Sequence, residues 1–259
     1  MKSDYSADEQ TVFRHQGPSR STRQNVVLAS YLALLGGFVN AVGFVLIGRF
    51  TSHMTGNVAY FAHDVAHHEP SGWDAMMVLV FLLGAALASV IIESGAFANV
   101  ARAYGTALLG EASVLAFVVV MAQRPLSSQG WQICALAAAM GMQNSMVTRL
   151  SGAVVRTTHL TGVVTDIGIE IARWFHWWRA SLSKHSRVRL SLSKSAERPS
   201  VPKLLLLVTI AIAFTVGALV GAFTGAEARH WALLLPIVAL VLGALFAFAS
   251  KDEQEPRRP

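Results

Sequence analysis

Apolar residues along the chain gather into six stretches: Val26–Ile47, Met76–Val100, Tyr104–Gln123, Trp131–Leu150, Leu204–Gly225 and Trp231–Ser250. Each has about the 20 mostly apolar residues that a helix needs to cross a hydrocarbon core. Tyr104, Trp131 and Trp231 open three of them, as aromatic anchors at a membrane interface do. The stretches are separated by polar runs rich in Gly, Ser, His and Arg, so the pattern predicts an all-α integral membrane protein of six transmembrane helices. The first 25 residues are polar and exceed the n-region of a signal peptide, so the first apolar stretch reads as a retained span. Between the fourth and fifth stretches, Val163–Trp178 mixes apolar residues with Asp166, Glu170 and Arg173 and crowds Trp174, Trp177 and Trp178 at one end. That mixture predicts a helix lying at, or dipping into, the membrane interface.

Composition agrees with the pattern. Of 259 residues, 53% are hydrophobic and 14% charged, against about 25% charged in soluble domains, and the mean hydropathy is +0.47. The single cysteine, Cys134, lies in an apolar stretch and excludes a disulfide framework. The net charge of +6 is an orientation signal rather than a nucleic-acid footprint. If the N-terminus is inside, every Lys and Arg except Arg49, Arg124 and Arg229 falls on the inner side. The positive-inside rule then places both termini in the cytoplasm, with residues 1–25 and 251–259 as tails around a membrane domain over 26–250. Arg179 to Lys203 reads RASLSKHSRVRLSLSKSAERPSVPK and repeats SLSK. It has too few large apolar residues to order itself. It predicts a basic cytoplasmic loop that meets solvent or anionic lipid headgroups.

The chain also repeats itself. GGFVNAVGF (Gly36–Phe44) precedes SHMTGN (Ser52–Asn57), and MGMQNSMV (Met140–Val147) precedes THLTGV (Thr158–Val163). Gly37 matches Gly141, Asn40 matches Asn144, and His53, Thr55 and Gly56 match His159, Thr161 and Gly162. Asp64 and Glu170 follow at equal distances. FLLGAALA (Phe81–Ala88) then resembles FTVGALVG (Phe214–Gly221), after an interval lengthened in the second half by about the basic loop. Three spans per copy turn the second copy upside down relative to the first. The expectation is a 3+3 inverted repeat, with interfacial or re-entrant helices after spans one and four.

GGFVNAVGFVLIGRFTSHMTGN, with AAAMGMQNSMVTRLSG and RTTHLTG in the second half, resembles the YoaK family of bacterial membrane proteins, a domain of unknown function. The resemblance covers about Asn25 to Ser250, apart from the basic loop. It implies a six-span protein of the bacterial inner membrane and no particular substrate. The family pattern has Asp at the place of Asn40 and Thr at that of Val58; if that Asp carries a proton in relatives, this chain has lost the carrier or moved it.

Asn40 and Asn144 lie within apolar stretches, where an unpaired amide costs a few kcal/mol. They serve either to hold neighbouring helices or to line a solute path, with Gln143 beside them. The stretch Gly48–Asn57 is a poor helix former, so a new helix is expected to begin near Thr55, with threonine as its cap. Helix starts favour anions and carbonyl groups. Asn40, His53, Thr55, Gly56, Gln143, Asn144, His159, Thr161 and Gly162 are therefore the candidate substrate-binding residues. Asp64, Glu93, Glu111 and Glu170 are the candidates for proton coupling, although Glu111 is only about two turns, roughly 10 Å, from the interfacial Tyr104. The run HDVAHHEP reads as a solvated outer loop; a helix would place His63 and His67 on one face with Asp64 close by, as metal ligands often are, but the spacing is not H-E-x-x-H. Gly217, Gly221 and Gly225 form a G-x-x-x-G stripe that favours packing within the chain.

These features predict a small-solute transporter or permease rather than an enzyme. No cofactor, metal or nucleic-acid partner is expected, the lipid bilayer is the main partner, and so small a transporter would call for a homodimer. Two other readings stand beside it: a non-transporting membrane protein whose polar residues serve only packing, and an intramembrane enzyme using the His/Asp cluster.

Overall fold

The computed structural model describes residues 22–68, 72–94, 100–124, 129–150, 158–182 and 200–249. Residues 1–21 of the expected N-terminal tail, the C-terminal tail and residues 183–199 of the basic loop lie outside them, while residues 22–25 already belong to the first helix. The described residues form helices and no strand: α1 (Thr22–Ile47), α2 (Met54–Ala66), α3 (Trp73–Glu93), α4 (Val100–Ala122), α5 (Gln129–Leu150), α6 (Leu160–Leu182), α7 (Val201–Ala228), a 3-10 turn (Arg229–Leu233) and α8 (Leu234–Ala249).

Four stretches among the described residues are long and apolar enough to cross a membrane: Val26–Ile47, Trp73–Glu93, Val100–Ala122 and Val201–Ala249, the last containing α7, the turn and α8. Their outer faces are greasy. Leu79, Leu82, Leu83, Leu87 and Val90 of α3 are exposed, as are Leu205, Ile212, Leu219 and Phe223 of α7 and Leu235, Val238, Leu242 and Leu245 of α8. Soluble proteins do not leave apolar surface of this extent to water, so lipid covers it, and the chain is a membrane protein. α5 falls short of the same apolarity because it carries Gln132, Gln143, Asn144 and Ser145. It packs against α1, α3 and α4 and buries Ile133, Leu136, Met140, Met142 and Met146. A helix enclosed by other helices can keep amides that find protein partners, where a lipid-facing helix cannot.

Glycines set how the helices interlock. A Cβ placed on Gly217 would lie 2.0 Å from the Leu34 carbonyl oxygen, one on Gly221 2.4 Å from that of Phe38, and Gly225 faces Val42. The partners rise in the same order, so α1 and α7 run parallel with backbones in contact. In return, a Cβ on Gly37 would meet the Phe214 oxygen at 2.1 Å. The same arrangement joins α3 and α5: Gly84 faces the Ala138 oxygen at 2.1 Å and Gly141 the Phe81 oxygen at 2.1 Å. Phe81–Gly84 and Phe214–Gly217 are the paired segments of the sequence repeat, and Leu34 and Ala138 each lie one turn before the paired Gly37 and Gly141. Each crossing thus joins a first-copy segment to a second-copy one, with the copies' roles exchanged. α4 and α8 form a third pair, in which Gly105 lies under Ala244 and Phe248. The G-x-x-x-G stripe of α7 is therefore used within the chain.

Both H-x-T-G segments begin new helices. α2 opens on His53 as N-cap with no side-chain capping bond, so the cap expected at Thr55 sits two residues earlier. α6 is amphipathic, with Val164, Ile169, Ile171, Phe175, Trp177 and Trp178 exposed. Its fully buried Glu170 accepts from Arg173 Nη1 at 2.9 Å and lies 2.9 Å from Lys203 Nζ, which fastens α6 to the first turn of α7. Ser200 caps that turn by accepting from the Lys203 amide.

The Lys203 hydrogen bond, aided by the charges of Lys203 and Arg173, holds the Glu170 carboxyl below its ordinary value of 4.5 and outweighs desolvation. A group whose folded pKa is depressed adds stability above its unfolded pKa and loses it as pH falls through the folded one. Hydrogen-exchange protection of α6, corrected for intrinsic rates, is therefore expected to hold above about pH 5 and to decline below 4.5. Glu170→Gln should show lower protection with no such pH step.

Candidate functional site

The two repeat-related asparagines have local partners. Asn40, 9% exposed, accepts at Oδ1 from the Ser52 backbone N–H and hydroxyl, each at 3.1 Å, and from the Thr51 hydroxyl at 3.4 Å. Asn144 accepts at Oδ1 from the Thr158 hydroxyl, and its Nδ2 donates to the Met140 carbonyl at 2.8 Å. Ser52 and Thr158 each directly precede the histidine of an H-x-T-G segment. Each asparagine thus staples the end of its long helix to the chain entering the next short one. Removing such a partner strands hydroxyls and an amide and costs about 1–3 kcal/mol. Asn40→Ala and Asn144→Ala are each expected to lower the melting temperature of purified protein; unchanged melting would refute the staple.

His53, Thr55, His159, Thr161 and Gly162 are exposed, and the Gly56 Cα lies under the His53 ring. Thr55 and Thr161 therefore stand on the surface of their short helices while Asn40 and Asn144 turn toward Ser52 and Thr158. Asn57, which follows the first H-x-T-G, is fully buried; its Nδ2 donates to the Phe50 carbonyl at 3.2 Å, and its Oδ1 has no bond.

The deepest polar groups lie elsewhere in the bundle. Gln143 is fully buried; its Nε2 donates to the Leu32 carbonyl at 3.0 Å, while Oε1 has no hydrogen bond. Gly36 and Thr158 are its close neighbours, since a Cβ on Gly36 would meet Gln143 Oε1 at 3.3 Å and Thr158 Cγ2 at 3.1 Å. Glu111 is also fully buried, and neither carboxyl oxygen has a partner. Tyr104, expected to stand at the interface, is itself fully buried among the helices. On α1, the Tyr31 hydroxyl donates to the Ala239 carbonyl at 2.7 Å. Gly110 and Met142, the chain neighbours of Glu111 and Gln143, pack together: a Cβ on Gly110 would lie 2.8 Å from Met142 Cε, so α4 and α5 touch beside these two groups. Buried polar atoms are nearly always hydrogen-bonded, and exceptions mark functional or strained places.

The other candidate acids have different settings. Asp64 lies 3.3 Å from His63 Nδ1 on the exposed face of α2, where the His63 and His67 rings stack at 4.1 Å. Glu93 pairs with Arg149, whose Nε donates to Ser89 Oγ at 3.2 Å; Ser89 in turn meets Ser145 Oγ at 2.7 Å. One acid escaped sequence reasoning. Asp74, 2% exposed, pairs with Arg49 Nε at 3.0 Å beside a cavity of about 370 Å³. At the start of an apolar stretch an acid reads as an ordinary helix-terminal charge. The signal that could have found it was Arg49, a basic residue at the end of the first apolar stretch.

A family model described as "Protein of unknown function (DUF1275)" matches residues 28–246. The chain belongs to that family. The DUF1275 match takes in both H-x-T-G segments, Glu111, Gln143 and the Arg49–Asp74 pair, so all of them lie within the family's domain. No curated protein and no solved structure matches the chain.

Proposed function

We propose that the protein is a small-solute transporter of the bacterial inner membrane, with six spans in two inverted copies and both termini in the cytoplasm. The observation that carries this reading is the pair of buried, unsatisfied groups, the Glu111 carboxyl and Gln143 Oε1, on the packed helices α4 and α5. An ionisable group without a partner inside a span is costly to keep and marks a solute or proton path. The exchanged glycine contacts of α1/α7 and α3/α5 support an inverted repeat, the architecture in which each half closes over a shared site in turn. The excess of Lys and Arg on one side supports the orientation. Glu111 is the proton-coupling group in this reading, and Gln143 orients the solute.

Asn40 and Asn144 favour a second role within the same protein. Their bonds to Ser52 and Thr158 make them holders of the short helices rather than solute ligands. The test is reconstitution into liposomes loaded with a pH-sensitive dye, across a panel of amino acids, organic acids, sugars and amines. Solute-dependent proton movement that is lost in Glu111→Gln supports the proposal. Folded wild-type protein that moves neither proton nor solute across the panel overturns it.

A further inference from the structure

We infer that the cavity between the C-terminal end of α1 and the first turns of α3 and α5 binds a small organic monocarboxylate with a short apolar body. Its floor is made by Met77 and Ile133, both buried to within 2%, and its rim by Trp73, whose indole lies against Gly130. Arg49 and Asp74 supply the charge.

The sign of the ligand follows from the donors. A guanidinium has five N–H donors in a planar fork. Arg49 gives Nε to Asp74 at 3.0 Å, and Nη1 makes only a 3.5 Å contact to the Gly48 carbonyl. Its carbon sits 4.4 Å from the centre of the Tyr60 ring, which holds the fork in one plane. Asp74 occupies the Nε edge of the fork and leaves the Nη1/Nη2 end, whose two N–H groups can take a carboxylate end-on. Asp74 is already matched by Arg49 and is 2% exposed, so it offers little to an ammonium group. The same carboxylate repels a second negative charge, which selects a monoanion over a dianion. Met77, Ile133 and Trp73 then favour a hydrocarbon body over a polyhydroxylated one. The inference goes beyond the transport reading, because a ligand can bind here without crossing the membrane.

Binding is read as thermal stabilisation and by calorimetry on the full-length protein in a non-ionic detergent, with acetate, butyrate and hexanoate as probes. A ligand that binds only the folded state raises apparent stability. Affinity is expected to rise with chain length by up to about fourfold per methylene, the worth of one buried CH2 group. Hexanol and hexylamine are expected to bind at least about tenfold more weakly than hexanoate. Arg49→Lys keeps a cation for Asp74 but loses the fork, and should bind hexanoate about tenfold more weakly. Ile133→Phe fills the floor with apolar volume and should abolish binding; it carries the test if Arg49→Lys does not fold. Hexanol binding as tightly as hexanoate, a folded Ile133→Phe binding as wild type does, or stabilisation by an anionic phospholipid with none by any carboxylate would each overturn the inference.

Discussion

Gly84→Ala and Gly217→Ala are expected to leave no folded, monodisperse protein, although each adds only one methyl group. The added Cβ would lie 2.1 Å from the Ala138 carbonyl oxygen in the first case and 2.0 Å from that of Leu34 in the second. Overpacking a core usually costs about 1–3 kcal/mol, because side chains can change rotamer. Here the obstacle is backbone inside a helix, and relief requires α3 and α5, or α1 and α7, to separate along their length. That separation removes the close van der Waals contact that holds helices together in lipid, where no hydrophobic force acts between them. The cost belongs with the exceptional losses above about 4 kcal/mol. Gly168→Ala is the control: nothing lies within 4 Å of its Cβ position on the exposed part of α6. It should stabilise that helix by up to about 1 kcal/mol through helix propensity. Fluorescence-detected gel filtration and melting of the three variants provide the measurement. A well-folded Gly84→Ala with wild-type melting would show that the α3–α5 contact is looser than the backbone distances require.

These glycines also mark how far the chain could be read. Apolar runs and the repeated F-x-x-G found the paired segments, because small residues one turn apart predict close packing of some kind. Which helix packs on which is a long-range property, and only the assembled bundle joins Gly217 to Leu34 and Gly84 to Ala138. α5 was expected as a span from its flanks and its place in the repeat, yet it is not among the four stretches apolar enough to cross; its amides lower its apolarity, and its neighbours are protein. The break near His53 and the new helix after it followed from Gly, Ser and Thr chemistry, while the cap position missed by two residues because His53 caps through backbone geometry alone. The asparagines were recognisable as groups that must find partners, but not that Ser52 and Thr158 would be those partners. Asp74 was hidden at a helix start, and its meaning depends on Arg49, 25 residues away. Glu111 was named for its position in a span. Its full burial depends on how α5 and α8 pack against α4, and nothing local announces that.

Glu111→Met is expected to make the protein more stable and to abolish its function. The carboxyl is fully buried and neither oxygen is hydrogen-bonded, so wild type carries the desolvation cost of an unsatisfied polar group, about 1–3 kcal/mol on protein scales. Methionine has nearly the same length and no such cost, and it adapts to irregular space. Melting of purified Glu111→Met should therefore rise by an amount corresponding to about 1–3 kcal/mol. Glu111→Gln should gain little, because its amide is as hard to satisfy at that place. A purely structural Glu111 forecasts the reverse: if hidden bonds hold it, methionine strands its partners and melting falls. The functional readout separates the readings further. In liposomes, solute-dependent proton movement should vanish in both variants while insertion and monodispersity are kept. Natural proteins give up stability at sites where activity requires an unfavourable group, and a stabilised, inactive Glu111→Met would place this carboxyl among them. A destabilised Glu111→Met that still moves protons would assign it to packing and leave the transport reading without its proton carrier.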